Sequence, residues 1–230
     1  MKTLISDQRN RSLATLLSGI LMGMSMLFST SALAQDNTTI VGSKHDFIVQ
    51  GWANNGNGEI CIVCHTPHNA ISPDDGPLWN RSLTTSTFTL YSPNTIPGSD
   101  IQGTGFNQPS GVSKLCLSCH DGTIAIDAFG GLTGTETMDD INAAANIGDV
   151  VSTVGDLSND HPVAFTYPTT DTELYANVSG VVNGEMPLYG VGQDQVECAS
   201  CHDVHATNTY DQLLRVDNAG SSLCLTCHIK

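Results

Sequence analysis

Apolar residues in this chain do not gather into long periodic runs. The one extended apolar stretch, Leu13 to Phe28, follows Lys2, Arg9 and Arg11 and precedes the small-residue sequence Ala32-Leu33-Ala34. A basic end, a short apolar centre and a cleavage site predict a secretory leader over residues 1–34. The centre is short and wrongly flanked for a membrane span, although an uncleaved anchor is the alternative. No later segment is long and apolar enough to cross a bilayer, so the mature chain, residues 35–230, is expected to be secreted and to lack a span.

After the leader the pattern is polar and broken. Gly, Ser, Thr, Asn and Asp dominate, most of all from Arg81 to Ser113 and from Phe129 to Asp160. No 3.6-residue apolar period lasts beyond a turn or two. The expected fold is mostly irregular coil with short α-helices and a few short β-strands, Phe47–Gln50 and Val163–Tyr167 being the strand candidates.

All eight cysteines fall in one repeated pattern: Cys61-Ile62-Val63-Cys64-His65, Cys116-Leu117-Ser118-Cys119-His120, Cys198-Ala199-Ser200-Cys201-His202 and Cys224-Leu225-Thr226-Cys227-His228. Cys-x-x-Cys-His is the c-type haem attachment signal. Both thiols become thioethers to the porphyrin, and the histidine that follows binds iron. Four covalent haem c groups are expected, held by short helices that carry the motifs. Two zinc centres of four thiolates, a disulfide framework and a thioredoxin-like pair are the rivals. None of them explains a histidine after each of four identically spaced pairs.

With four haems in so short a mature chain, porphyrins have to supply much of the core. An aromatic content of 6% agrees, since the macrocycles replace the flat apolar area of Phe, Tyr and Trp.

Eight histidines are present, and four of them, His45, His68, His161 and His205, lie outside the motifs. Four spare imidazoles match four sixth positions, which makes bis-histidine ligation the economical reading. Methionine is the usual competitor, and outside the leader only Met138 and Met186 are available.

The motifs alternate. The first and third carry a second histidine three residues on, at His68 and His205, whereas the second and fourth share Leu115-Cys116-Leu117 and Leu223-Cys224-Leu225. A two-haem module used twice is implied, spanning about 35–160 and 161–230. Three residues reach at most about 10 Å, too little for His68 to round the porphyrin edge to the iron of His65. Repeat logic then pairs His68 with His120 and His205 with His228, leaving His45 and His161 for the first and third haems. Ligands so close in sequence on different irons bring the porphyrins near contact, as electron hopping requires.

The net charge is −15, and loss of the basic leader makes the mature chain more acidic still. Nucleic acid is excluded as a partner, since its phosphates demand a basic patch. An acidic surface suits solubility or docking of a basic redox partner.

On Ile40 to Asp46, the Cys61 to His68 motif, Cys116 to Asp127, Asn159-Asp160-His161-Pro162 and the two C-terminal motifs, the chain resembles the doubled Cys-x-x-Cys-His multihaem cytochromes. It resembles more closely the OmcE-like extracellular tetrahaem cytochromes that polymerise into filaments, the cytochrome nanowires. That resemblance implies electron transfer along a filament at the outer cell surface, toward extracellular acceptors, with a histidine of one subunit completing a haem of the next. His45, near the mature N-terminus, is the residue expected to cross that junction. A discrete tetrahaem shuttle of the periplasm or outer surface is the alternative, and a multihaem reductase the third. The histidine count leaves no open iron for an enzyme.

Overall fold

Short turns, rather than long elements, organise the backbone. The computed structural model describes residues 40–54, 56–71, 76–91, 106–142, 155–205 and 210–229. The leader lies outside the described residues. Residues Asn37–Lys230 form one compact unit, and among the described residues no helix is long and apolar enough to cross a membrane.

Four α-helices are present among the described residues: α1 (Gly111–His120), α2 (Met138–Asn142), α3 (Cys198–Cys201) and α4 (Ser222–Cys227). Helix α1 is the longest because its sequence supplies both a buried face and an ending. Leu115 and Leu117 are buried on it, and Ser118 donates to the Lys114 carbonyl (2.7 Å) while accepting Thr84 N–H (2.9 Å). The helix stops at Asp121 and Gly122. Gly122 takes φ 77°, a left-handed value open to glycine at a helix end. The buried Asp121 carboxylate accepts the Thr123 N–H (2.9 Å), the Thr123 hydroxyl (2.6 Å) and the Thr84 hydroxyl.

The strands among the described residues are two residues each. β1 (Thr89–Leu90) pairs in parallel with β2 (Asp156–Leu157). β3 (Phe165–Thr166) pairs antiparallel with β7 (Gln195–Val196), Phe165 opposite Val196. Between them β4 (Asn177–Val178), β5 (Val181–Val182) and β6 (Met186–Pro187) form an antiparallel meander. Ser179 (φ 53°) and Gly180 (φ 83°) make the two-residue turn between β4 and β5, where positive φ at both positions matches the twist of the strands. β3 falls inside the expected strand Val163–Tyr167.

The other expected strand is a turn. The carboxylate of the buried Asp46 accepts Gly42 N–H (2.8 Å) and Val49 N–H (3.1 Å), and Trp52 N–H reaches the Phe47 carbonyl (2.9 Å). A side chain that caps its own backbone outcompetes extended pairing, so Phe47–Gln50 curls while Phe47 stays buried.

Among the described residues, buried apolar side chains fall into three small clusters. Phe47, Ala53, Val63, Ile126, Phe129 and Met138 form one. Phe165, Tyr167, Val182, Met186, Leu188 and Val196 form the second, and Phe88, Leu117 and Leu157 the third. Met138 and Met186, the alternative iron ligands by sequence, are buried within these clusters as packing residues.

Candidate haem-binding site

The first motif begins as a 3₁₀ turn, Cys61–Val63, with His65 N–H donating to the Cys61 carbonyl (2.8 Å). At His65 the chain leaves the turn and meets a returning segment in an antiparallel bridge to Trp79. Thr66 N–H donates to the Leu78 carbonyl (2.8 Å), and Asn80 N–H to the Cys64 carbonyl (2.9 Å). His65 Nδ1 donates to the Pro77 carbonyl (2.8 Å), and Asn80 Nδ2 to the Ile62 carbonyl (2.6 Å).

The third motif repeats this construction. His202 bridges Leu214, Asp203 N–H donates to the Leu213 carbonyl (2.8 Å), and Arg215 N–H to the Cys201 carbonyl (2.9 Å). His202 Nδ1 donates to the Gln212 carbonyl (2.9 Å), and Arg215 Nε to the Ala199 carbonyl (2.7 Å). Even the strained residue recurs, with Leu78 at φ 57° and Leu213 at φ 58°. The fourth motif uses the same bridge with a segment from upstream. His228 pairs with Leu174, Ile229 N–H donates to the Glu173 carbonyl (2.7 Å), and Tyr175 N–H to the Cys227 carbonyl (2.9 Å). The second motif alone lies wholly within a helix, α1, which includes His120. The expectation that thiols and imidazole share one helical turn therefore holds for the second motif, while His202 and His228 are extended residues beyond their helix ends.

These clamps dictate the chemistry of the rings. A carbonyl can only accept, so Nδ1 of His65 and of His202 carries the proton and Nε2 keeps its lone pair for a metal. His161 is set in the same way, by Nδ1 donating to the Pro162 carbonyl (3.0 Å). An imidazole oriented by a carbonyl on its other nitrogen is the usual arrangement of a metal-binding histidine.

The structure also shows which rings meet. His45 lies 6.1 Å from His120 between ring centroids, and His65 lies 6.0 Å from His205. These are not the pairs expected from repeat logic, which joined His120 to His68 and His205 to His228. His45 is half-buried, stacked on Phe47 at 5.8 Å, and its Nδ1 is buried without a partner. Burial, then the neighbouring His120 and His202, push its pKa down to about 4, so the ring is neutral near pH 7. His68, His161 and His205 are exposed.

Burial sets the thiol environments. All eight cysteines are free. Burial pushes Cys64 and Cys201 up to about 11 and raises Cys119 and Cys227. Among the described residues no group of three or more His, Cys, Asp or Glu side chains converges as a metal site. Beside the fourth motif, Cys224 and His228 line one groove of about 530 Å³ with Gly220, Ser221 and Leu225, so thiol and imidazole face a common space.

Residues 191–230 match the family model of the doubled CXXCH motif. The matched segment contains the third and fourth motifs, and with them the clamp at His202 and the groove at His228. Comparison with curated proteins gave no match. The doubled CXXCH motif supports a multihaem c-type cytochrome with covalently bound haem c, and so electron transfer as the activity.

Attachment points cluster across the two halves of the chain. Cys116 and Cys198 hydrogen-bond through their thiols, which raises Cys116 and lowers Cys198. Ser113 accepts Cys198 N–H (2.9 Å) and donates its own N–H to the buried Glu197 carboxylate (3.2 Å). Helices α1 and α3 are thereby docked, and the second and third Cys-x-x-Cys-His motifs adjoin.

Arg81 and Arg215 escaped sequence reasoning. Arg81 is 2% exposed and donates to the Val63 carbonyl (3.3 Å), the Ile126 carbonyl (2.8 Å) and the Ala125 carbonyl. It also hydrogen-bonds Cys119 and lies close enough to lower the pKa of both Cys119 and Cys64. A lone arginine in a polar stretch gives no signal of this. Arg215 had one available signal, its place after Leu213-Leu214, which parallels Asn80 after Leu78-Trp79.

Proposed function

We propose that this chain is a tetrahaem electron carrier whose irons are each held by two histidines, and that it works as the subunit of an extracellular conducting filament. The observation that carries the haem reading is the repeated clamp, which fixes the proton on Nδ1 at His65 and His202 and frees Nε2. Cys61 and Cys64, Cys116 and Cys119, Cys198 and Cys201, and Cys224 and Cys227 tether the four groups. When bound, haem iron supplies reversible one-electron chemistry. The protein's part is to hold each imidazole at a fixed angle and to bring the attachment sites together, as Cys116 and Cys198 do. Two axial histidines per iron leave no position for a substrate, which favours a carrier over a reductase.

The filament rests on the family resemblance, and His68 and His161 are among the imidazoles exposed at the surface. An open head-to-tail contact that fails to close produces a fibre. Mass spectrometry of the exported chain is expected to give four haem additions, and the ferrous spectrum to be unchanged by carbon monoxide. Rapid carbon monoxide binding at one haem would favour the reductase. Electron microscopy of sheared surface material separates the assemblies: ordered fibres support the conduit, and discrete particles alone support the soluble shuttle.

A further inference from the structure

We infer that His45 and His120 are the two axial ligands of the haem tethered at Cys116 and Cys119, and that His205 and His65 are those of the haem tethered at Cys61 and Cys64. The inference rests on the haem reading above and assigns which imidazole serves which iron.

Three observations carry it. First is distance. Two metal–imidazole bonds of about 2.0–2.1 Å, plus the inset of each centroid from its nitrogen, separate the ring centroids by about 6 Å. The measured separations are 6.1 Å and 6.0 Å. Second is composition: each contact joins one motif histidine to one histidine outside the motifs, which axial pairing requires and general aromatic clustering does not. Third is the state of the nitrogens. His65 has Nδ1 committed to the Pro77 carbonyl, and His45 has Nδ1 buried without a partner. An unpaired buried polar group costs about 1–3 kcal/mol, so the His45 ring sits where a further bond is needed.

This pairing interlocks the halves of the chain. His205 lies three residues beyond His202 yet meets His65, 140 positions earlier, so the first haem is completed by the second half. His45 is then occupied within its own chain, and the junction role passes to His68 and His161, the two histidines outside the motifs that this pairing leaves unassigned.

The test uses exported, haem-loaded protein. His45→Ala is expected to convert one haem per chain to high spin in low-temperature EPR, and His205→Ala likewise. Each is then combined with loss of one tether pair. In a Cys116→Ala/Cys119→Ala background, shown by mass spectrometry to lack one haem, His45→Ala is expected to add no high-spin signal. A new signal there means that His45 serves another iron, His202 being the nearby candidate, and overturns the pairing. Cys61→Ala/Cys64→Ala with His205→Ala is read in the same way. Should the tether variants fail to export, His45→Met and His205→Met are each expected to keep all haems low spin, with one methionine-ligated iron by near-infrared absorption. Absence of that band, or unchanged low-spin signals in the alanine variants, reduces the contacts to aromatic packing only and overturns the inference. Absence of haem from the unaltered protein defeats the underlying reading instead.

Discussion

Replacing Arg81 by methionine tests whether a buried guanidinium ties the first attachment site to the second. Its head group joins Val63, inside the first motif, to Ala125 and Ile126, just past the second. Methionine fills similar volume and donates nothing, so two buried carbonyls and the part-buried Ala125 carbonyl lose a partner at about 1–3 kcal/mol for each buried one. Relief from holding a cation out of water returns part of that. The net expectation is a loss of about 3–5 kcal/mol. At a urea slope of about 2 kcal/mol per molar, the unfolding midpoint falls by about 1.5–2.5 M. The assay is urea unfolding followed by far-ultraviolet circular dichroism, on variants whose haem content matches the unaltered protein by mass. Arg81→Lys is expected to fall between the two, because one ammonium cannot span all three carbonyls. A midpoint for Arg81→Met within about 0.5 M of the unaltered protein, less than one such hydrogen bond at that slope, would refute the reasoning.

Other substitutions probe separate links. Gly180→Ala places a Cβ 2.8 Å from Gln193 Cβ at a residue with φ +83°; a destabilisation of more than about 1 kcal/mol is expected in thermal melts. Asn80→Ala removes the bond to the Ile62 carbonyl (2.6 Å) and is expected to cost about 1 kcal/mol, with faster amide exchange at His65 as the local signature. Arg215→Met removes bonds to Ala199, Asp203 and Tyr189; the expected loss is about 2–3 kcal/mol, against no more than about 1 kcal/mol were only its ion pair with Asp203 at stake. Asp121→Asn sets an amide donor among the Thr84 and Thr123 hydroxyls and is expected to lower the melting temperature, Asp121→Ala doing the same.

The tether chemistry was legible in sequence because it is local: five consecutive residues specify two thioethers and one imidazole, whatever the rest of the chain does. The alternation of motifs was legible too, and its structural counterpart is the downstream segment that returns to His65 and to His202 through a left-handed leucine, Leu78 and Leu213. The partners of those histidines were not. Pro77 and Gln212 act through backbone carbonyls, which no side-chain pattern announces, and Glu173 clamps the fourth motif from far upstream. Phe47–Gln50 misled because an apolar run says nothing of the Asp46 carboxylate that bends it. His68 and His120 were paired by assuming that each module closes on itself, whereas the rings that lie near one another are His45 with His120 and His65 with His205.

Covalent spacing along the chain determined where the thiols and their adjacent imidazoles stand, since bonded neighbours cannot drift apart. Packing alone decided which distant imidazole faces which, because a contact between residues far apart in sequence forms only when buried surfaces and backbone hydrogen bonds elsewhere hold both in place.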